Sequence, residues 1–172
     1  MNIKKGWIAS LLLLVILLSS CGLAGKTSIP PEMSHVALST FENNTGETDL
    51  ERRLTDEVYD QLIAHGELRL VAPEQADVKI KGEINEYLKI PLAFGERDVV
   101  EQYKLRVEIA LELIDVETGE MIRGFENIFR ETTFSEVIPP RETEYQAQDR
   151  IIRQLGRDVL TSTVEGWPYI SG

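Results

Sequence analysis

Tyr103–Asp115 reads YKLRVEIALELID. Its odd positions, Tyr103, Leu105, Val107, Ile109, Leu111 and Leu113, are all apolar, and its even positions, from Lys104 and Arg106 to Glu112, are mostly polar. A two-residue period held this long marks a strand with one buried and one wet face. At ~3.4 Å per residue it would extend roughly 44 Å, well beyond a typical strand. The rest of the chain has to cover it, pair with it and terminate it.

On the C-terminal side, Glu117-Thr118-Gly119-Glu120 reads as a turn and Met121–Phe134 as the return strand, with Phe125 and Phe129 on its core face. Val137-Ile-Pro-Pro-Arg141 is a break. Thr143–Trp167 has helical spacing, with Tyr145, Ile151, Ile152, Leu155, Val159 and Trp167 as core contacts, and Pro168 stops it. On the N-terminal side, Pro91–Asp98 reads as a loop. Asp77–Ile90 alternates, with Val78, Ile80, Gly82, Ile84, Leu88 and Ile90 on one face. Leu68–Val71 leads into that strand. Upstream of it lies a helix with the stripe Leu50, Leu54, Val58, Leu62 and Ile63, capped by Thr48 or Asp49 with Glu51 as in a capping box, and ended by Gly66. His35–Phe41 is a first strand, and Glu42–Gly46 a turn-rich loop.

The order is therefore β-α-β-β-β-α. Two amphipathic helices and a half-wet sheet solve each other's burial in an α+β two-layer sandwich: a four-stranded mixed sheet with both helices on one face. The strand-helix-strand unit makes parallel neighbours, and the last three strands an antiparallel meander. For the hairpin joining Asp77–Ile90 to the long strand, apolar even positions must face apolar odd ones, so paired numbers sum to an odd value. A sum of 189 sets Ile84 opposite Leu105 and Ile80 opposite Ile109. It also sets Glu83 opposite Arg106 and Lys81 opposite Glu108, a solvated charge ladder; the alternative is a ligand site.

The chain has 172 residues and a formal charge of −11. An acidic protein repels nucleic acid as a whole, so an anionic ligand would need a local basic site. At the N-terminus, Lys4 and Lys5 precede the apolar run Trp7–Leu18, too short to span a bilayer and of signal-peptide length. Leu18-Ser19-Ser20-Cys21 looks like a bacterial lipobox, which makes Cys21 the lipidation site and residues 1–20 a cleaved signal. Loss of Lys4 and Lys5, with no acid, takes the charge from −11 to −13. Several acyl chains make a stable membrane anchor. Gly22 after the cysteine, in place of an inner-membrane-retaining aspartate, favours the outer membrane, with the protein on its periplasmic face. Residues 21–34 form the acylated N-terminus and tether, 35–167 a single domain, and 168–172 a tail.

Catalytic chemistry is hard to find. The only cysteine is used for acylation, and one cysteine allows neither an intrachain disulfide nor a cysteine metal cluster. His35 and His65 sit at element ends and match no metal spacing. No nucleophile elbow or phosphate-cradling loop is present. Chance acid pairs are inevitable in so acidic a chain. Asn43-Asn44-Thr45 matches a glycosylation sequon and reads as loop chemistry. We expect no enzyme, cofactor or metal.

Taken in order, Cys21-Gly22, His35-Val-Ala-Leu-x-x-Phe41-Glu-Asn43 with Thr45, Leu54-Thr55, Leu68-Arg-Leu-Val71, Ala76-Asp77 with Gly82 and Ile84, Glu101-x-Tyr103, Asp115-x-x-Thr118-Gly119 and Glu165-Gly166-Trp167 carry a resemblance. Over residues 21–167 the chain resembles the LptE family of lipopolysaccharide-assembly lipoproteins. The resemblance implies a non-enzymatic outer-membrane protein that plugs the LptD β-barrel, helps it assemble and binds lipopolysaccharide. It further implies lipopolysaccharide contacts at Arg97 and Arg141. Topology places these two, with Asn43 and Asn44, at one pole of the sheet, opposite the tether and the Thr118-Gly119 turn. There guanidinium groups could meet lipid A phosphates; the alternative is local ion pairing with Glu96, Asp98 and Glu142. Two other functions remain open at this level: a periplasmic-facing lipoprotein that pilots or activates a secretin or cell-wall synthase, and an envelope hydrolase using an acid pair.

Overall fold

The structure, a computed structural model, describes residues 34–165. Cys21, the signal peptide, the tether up to residue 33, and Trp167, Pro168 and the tail lie outside the described residues. The long strand is present as β5 (Val100–Asp115), and its period is intact: Leu105, Val107, Ile109, Leu111 and Leu113 are each at most 2 % exposed. Against it lie β4 (Val78–Phe94) and β6 (Met121–Phe134), both antiparallel to it. β1 (His35–Leu38) runs parallel to β4, as expected of a strand-helix-strand crossover.

Two short strands add to the four expected. β2 (Glu42–Asn43) continues the line of β1 along β4 inside the segment read as a loop, and β3 (Arg69–Leu70) pairs parallel with β1. Among the described residues the sheet is six-stranded, in the order β3-β1-β4-β5-β6 with β2 on β4. Between β1 and β2 the pairing advances four residues, Leu38 to Glu42, against three on β4, Ile80 to Glu83. The extra residue lets Phe41 turn inward, 2 % exposed, with its ring over Gly82. A glycine inside a strand is a weak strand former and marks such a close approach.

Helix α1 (Leu50–His65) buries Leu50, Leu54, Val58 and Leu62 and ends at Gly66, whose φ of 76° needs a glycine. Ile63, expected in the stripe, is exposed, one position beyond its edge. The capping box does not form. Asp49 is itself left-handed, with φ 68°, and its carboxylate takes two bonds from Arg52 at 2.7 Å, which hold its pKa below the ordinary value. Glu51 accepts instead from Asn43 Nδ2 at 2.7 Å. Helix α2 (Glu144–Glu165) is preceded by Thr143, whose Oγ1 accepts the Gln146 N–H. It buries Ala147, Ile151, Ile152, Leu155 and Val159, whereas Tyr145 is exposed under the guanidinium of Arg53. The stripes of both helices and the odd side of β5 form one apolar cluster, so both helices cover one face.

The β4–β5 register has the expected parity but not the expected offset. Ile80 faces Leu113 and Ile84 faces Ile109, a sum of 193. The hairpin is longer than the sequence reading because β4 runs on through Pro91 to Phe94, and the turn tightens to Gly95–Val99. Pro91 is tolerated because β4 beyond Ile84 has no strand on its outer side among the described residues.

Two bulges flank Ile109. One falls between Ile84 and Glu86 on β4, the other between Phe125 and Ile128 on β6, where Asn127 has φ 58°. Each inserts one residue and reverses the faces beyond it. Leu88 and Ile90 therefore pair with Arg106 and Lys104 on the open face, while Tyr87 and Lys89 pair with Val107 and Leu105 on the helix face. The second bulge separates Phe125, paired with Leu111 and packed on the core, from Phe129, paired with Glu108 on the open face.

Candidate functional site

Charged side chains on the open face do pair, but not in the expected combinations. Lys81 bonds Glu83 on its own strand at 3.0 Å, with Glu42 at 3.8 Å. Arg106 bonds Glu86 at 2.9 Å and Glu108 at 2.6 Å, with its guanidinium over the Phe129 ring. Each of the two cations is thus engaged by two carboxylates, and the ladder keeps a net negative charge. Beside it, Lys81, Glu83, Asn85, Glu112, Phe125 and Glu126 help line a groove of about 690 Å³.

The hairpin end of the sheet carries the polar loops. Arg97 lies in the 3-10 turn Glu96–Asp98 at the tip; its side chain lies outside what the structure describes. Arg141 lies in the loop after β6, which is beside that tip because Phe134 pairs with Tyr103. The loop is tied down by Ser135. Its hydroxyl donates to the Glu101 carbonyl and accepts the N–H groups of Val137 at 3.2 Å and Ile138 at 2.8 Å. Arg141 is exposed, and its Nε donates to the Val137 carbonyl at 3.2 Å. Asn43 and Asn44 do not reach this pole. Asn43 pairs with Ile84, ten residues of strand before Phe94, because the hairpin projects far past β2. Asn43 holds its own loop, accepting from Thr45 N and Oγ1 and donating to the Glu47 carbonyl. His35 likewise has an end-of-strand role, Nδ1 lying 3.0 Å from Asp77 Oδ2.

A polar cluster pins the start of α2 to the sheet. Glu144 accepts from Tyr87 Oη at 2.5 Å and Lys89 Nζ at 2.6 Å. Gln148, nearly buried, donates to Tyr87 Oη and Glu47 and accepts from Arg53, which also holds Asp149. Burial pushes the Tyr87 phenol well above its ordinary pKa, and the Glu144 carboxylate adds to the rise. For Glu144 burial pushes upward too, but the bonds from Lys89 and Tyr87 outweigh it and hold the carboxyl below its ordinary value. A carboxyl depressed on folding stabilises the fold above its unfolded pKa, and that contribution is lost as pH falls through the folded value. Glu144→Gln should therefore cost about 1–3 kcal/mol near neutral pH. The gap to wild type should close in acid below the folded Glu144 pKa, as read by urea unfolding at the two pH values.

Sequence reasoning missed a second group around Arg141. The loop residues Pro140–Glu142 and the α2 residues Gln146, Asp149, Arg150 and Arg153 bound a recess of about 480 Å³. The helical spacing of those four was legible; their meeting with the loop was not. Among the described residues no group of three or more His, Cys, Asp or Glu forms a metal site, and no helix is long and apolar enough to cross a membrane.

Known folds and families bear on this arrangement. The structure is similar to the hypothetical protein CT253 from Chlamydia trachomatis, at 14% identity and TM-score 0.55, covering 78% of this chain and 96% of that one. It is similar to a minor lipoprotein from Acinetobacter baumannii, at 16% identity and TM-score 0.51, covering 78% and 92%. It is also similar to rare lipoprotein B from Shewanella oneidensis, at 14% identity and TM-score 0.51, covering 77% and 95%. At these identities what is shared is the fold. No curated protein matches the sequence. The model of the family described as LptE, lipopolysaccharide-assembly, matches residues 33–163, from before β1 into the last turn of α2. The chain belongs to the LptE lipopolysaccharide-assembly family.

Proposed function

We propose that this protein is acylated at Cys21, held at the periplasmic face of the outer membrane, and seated inside an LptD-like β-barrel. There it plugs the lumen, assists assembly of the barrel and binds lipopolysaccharide. It does so as a non-catalytic component, in keeping with its family. The family match over residues 33–163 carries this reading. Two surface features support it: an open sheet face whose Lys81 and Arg106 are engaged by its own carboxylates, and exposed Leu88, Ile90, Leu92, Phe94 and Val99 on the projecting hairpin. An apolar patch of this kind on a small protein marks an interaction surface.

Pull-down of the tagged full-length lipoprotein from solubilised outer membrane, read by mass spectrometry, tests the assignment. A co-purifying β-barrel is expected; recovery of a secretin or a cell-wall synthase in its place would overturn it. Arg97 and Arg141 are the proposed lipopolysaccharide contacts at the hairpin pole. Replacing both with glutamate should weaken lipopolysaccharide binding at least tenfold, since charge-assisted bonds to phosphate become repulsions. Unchanged affinity in a direct binding assay would remove them from the site.

A further inference from the structure

The two bulges that flank Ile109 bend the sheet, and a depression lies on its open face beside the bend. Its floor is made of small residues. Ala110 faces Glu83 on β4, and Gly124 on β6 faces Glu112. The groove of about 690 Å³ over them runs with the strands, from Lys81 to Asn85 along β4 and from Met121 to Asn127 along β6. No described strand pairs with the outer side of β6 to close it. Three carboxylates and one ammonium line it. Lys81 is committed to Glu83 at 3.0 Å and to Glu42 at 3.8 Å, whereas Glu112 and Glu126 form no ion pair among the described residues. No three such groups converge as a metal site among the described residues. Beside these carboxylates Met121 is 58% exposed and Phe125 half-buried, and both line the groove.

We propose that this groove docks an extended, cationic segment of a partner protein, with lysine or arginine side chains at alternate positions over Glu112 and Glu126. Charge complementarity selects that occupant. Uncompensated carboxylates in a chain of formal charge −11 repel acidic partners, lipid phosphates and a second copy of the chain. An extended segment turns every second side chain to one face, roughly 7 Å apart, which suits a groove that follows the strands. The methylene stems of its cations would pack on Met121 and Phe125, a contact that a bare ion cannot make. This docking does not rest on the lipopolysaccharide or barrel reading, since both the face and the sign of its charge differ from those of Arg97 and Arg141.

The test is fluorescence anisotropy of the acylated full-length protein in detergent micelles, with a labelled hexapeptide alternating lysine and threonine. Wild type should bind it, less tightly as salt rises, and should ignore the peptide with glutamate in place of lysine. Glu112→Gln with Glu126→Gln should lose about tenfold in affinity. Ala110→Leu raises the floor without touching a charge and should lose a similar factor. Glu67→Gln with Glu74→Gln removes the same charge from exposed positions around β3, at the opposite edge of the sheet, and should bind as wild type. Equal loss in both acid pairs, no loss in either groove variant, or a wild type that binds neither peptide would overturn the site. Spermidine displacing the peptide at equal concentration would reduce the groove to a bare cation site and overturn the peptide. Self-association of wild type that the Glu112→Gln, Glu126→Gln variant abolishes would make a second copy the occupant, and would overturn it as well.

Discussion

A Gly82→Val protein is expected to unfold at much lower urea than wild type, or to fail to fold. A Cβ at position 82 would stand 2.1 Å from Phe41 Cε1 and 2.5 Å from Cδ1 and Cζ, distances no real Cβ adopts. The ring has nowhere to go. Phe41 is enclosed in the cluster with Leu50, Leu54 and Ile84, and its N–H is committed to Thr55 Oγ1 at 3.0 Å. Overpacking of this kind costs about 1–3 kcal/mol and sometimes more, a large share of the ~5–15 kcal/mol that holds a small domain together. Phe41→Ala should cost about 3–5 kcal/mol by leaving a cavity. Because valine would partly refill that cavity, the double variant should be less destabilised than the two single costs added together. Strictly additive losses would mean that the glycine is not there to admit the ring.

How far the fold could be read from the sequence depended on whether an alternation was interrupted. β5 has no insertion between Leu105 and Leu113, so every odd residue of that stretch landed in the core. On β4 the even positions are apolar from Val78 to Ile84 and again from Leu88 to Phe94, with Glu86 between, yet of those up to Ile90 only Val78, Ile80, Gly82 and Ile84 face inward. One inserted residue near Asn85 turned Leu88 and Ile90 outward, and one near Asn127 did the same to Phe129. An asparagine inside a strand pattern is the available signal, since asparagine tolerates the left-handed backbone seen at Asn127. Turn chemistry misled at Pro91, which ends strands only where its missing N–H would be needed. Of the candidate site, Arg141 was reached through family resemblance. Arg150 and Arg153 were not reached at all, because a helical stripe does not reveal which loop folds against it.

That reversal on β4 also yields the functional test with the greatest expected effect. The outer half of the strand carries a core-type pattern on an exposed surface, with Ile90 42% and Leu92 45% exposed on a ribbon that projects past β1 and β2. Isolated exposed apolar residues need no explanation, but a run of them does. If the hairpin contacts the barrel interior, Ile90→Glu with Leu92→Glu should leave the fold intact, since neither side chain is buried. Capture of the barrel from solubilised membrane should then fall by at least tenfold, the scale of one lost hot spot worth about 2 kcal/mol. Val116→Glu with Met121→Glu adds the same charge at exposed apolar positions by the opposite turn and should leave capture unchanged. If the two double variants recover equal amounts of barrel, the hairpin is not the contact, and the reversal would be only the mechanical consequence of bending a long sheet at Ile109.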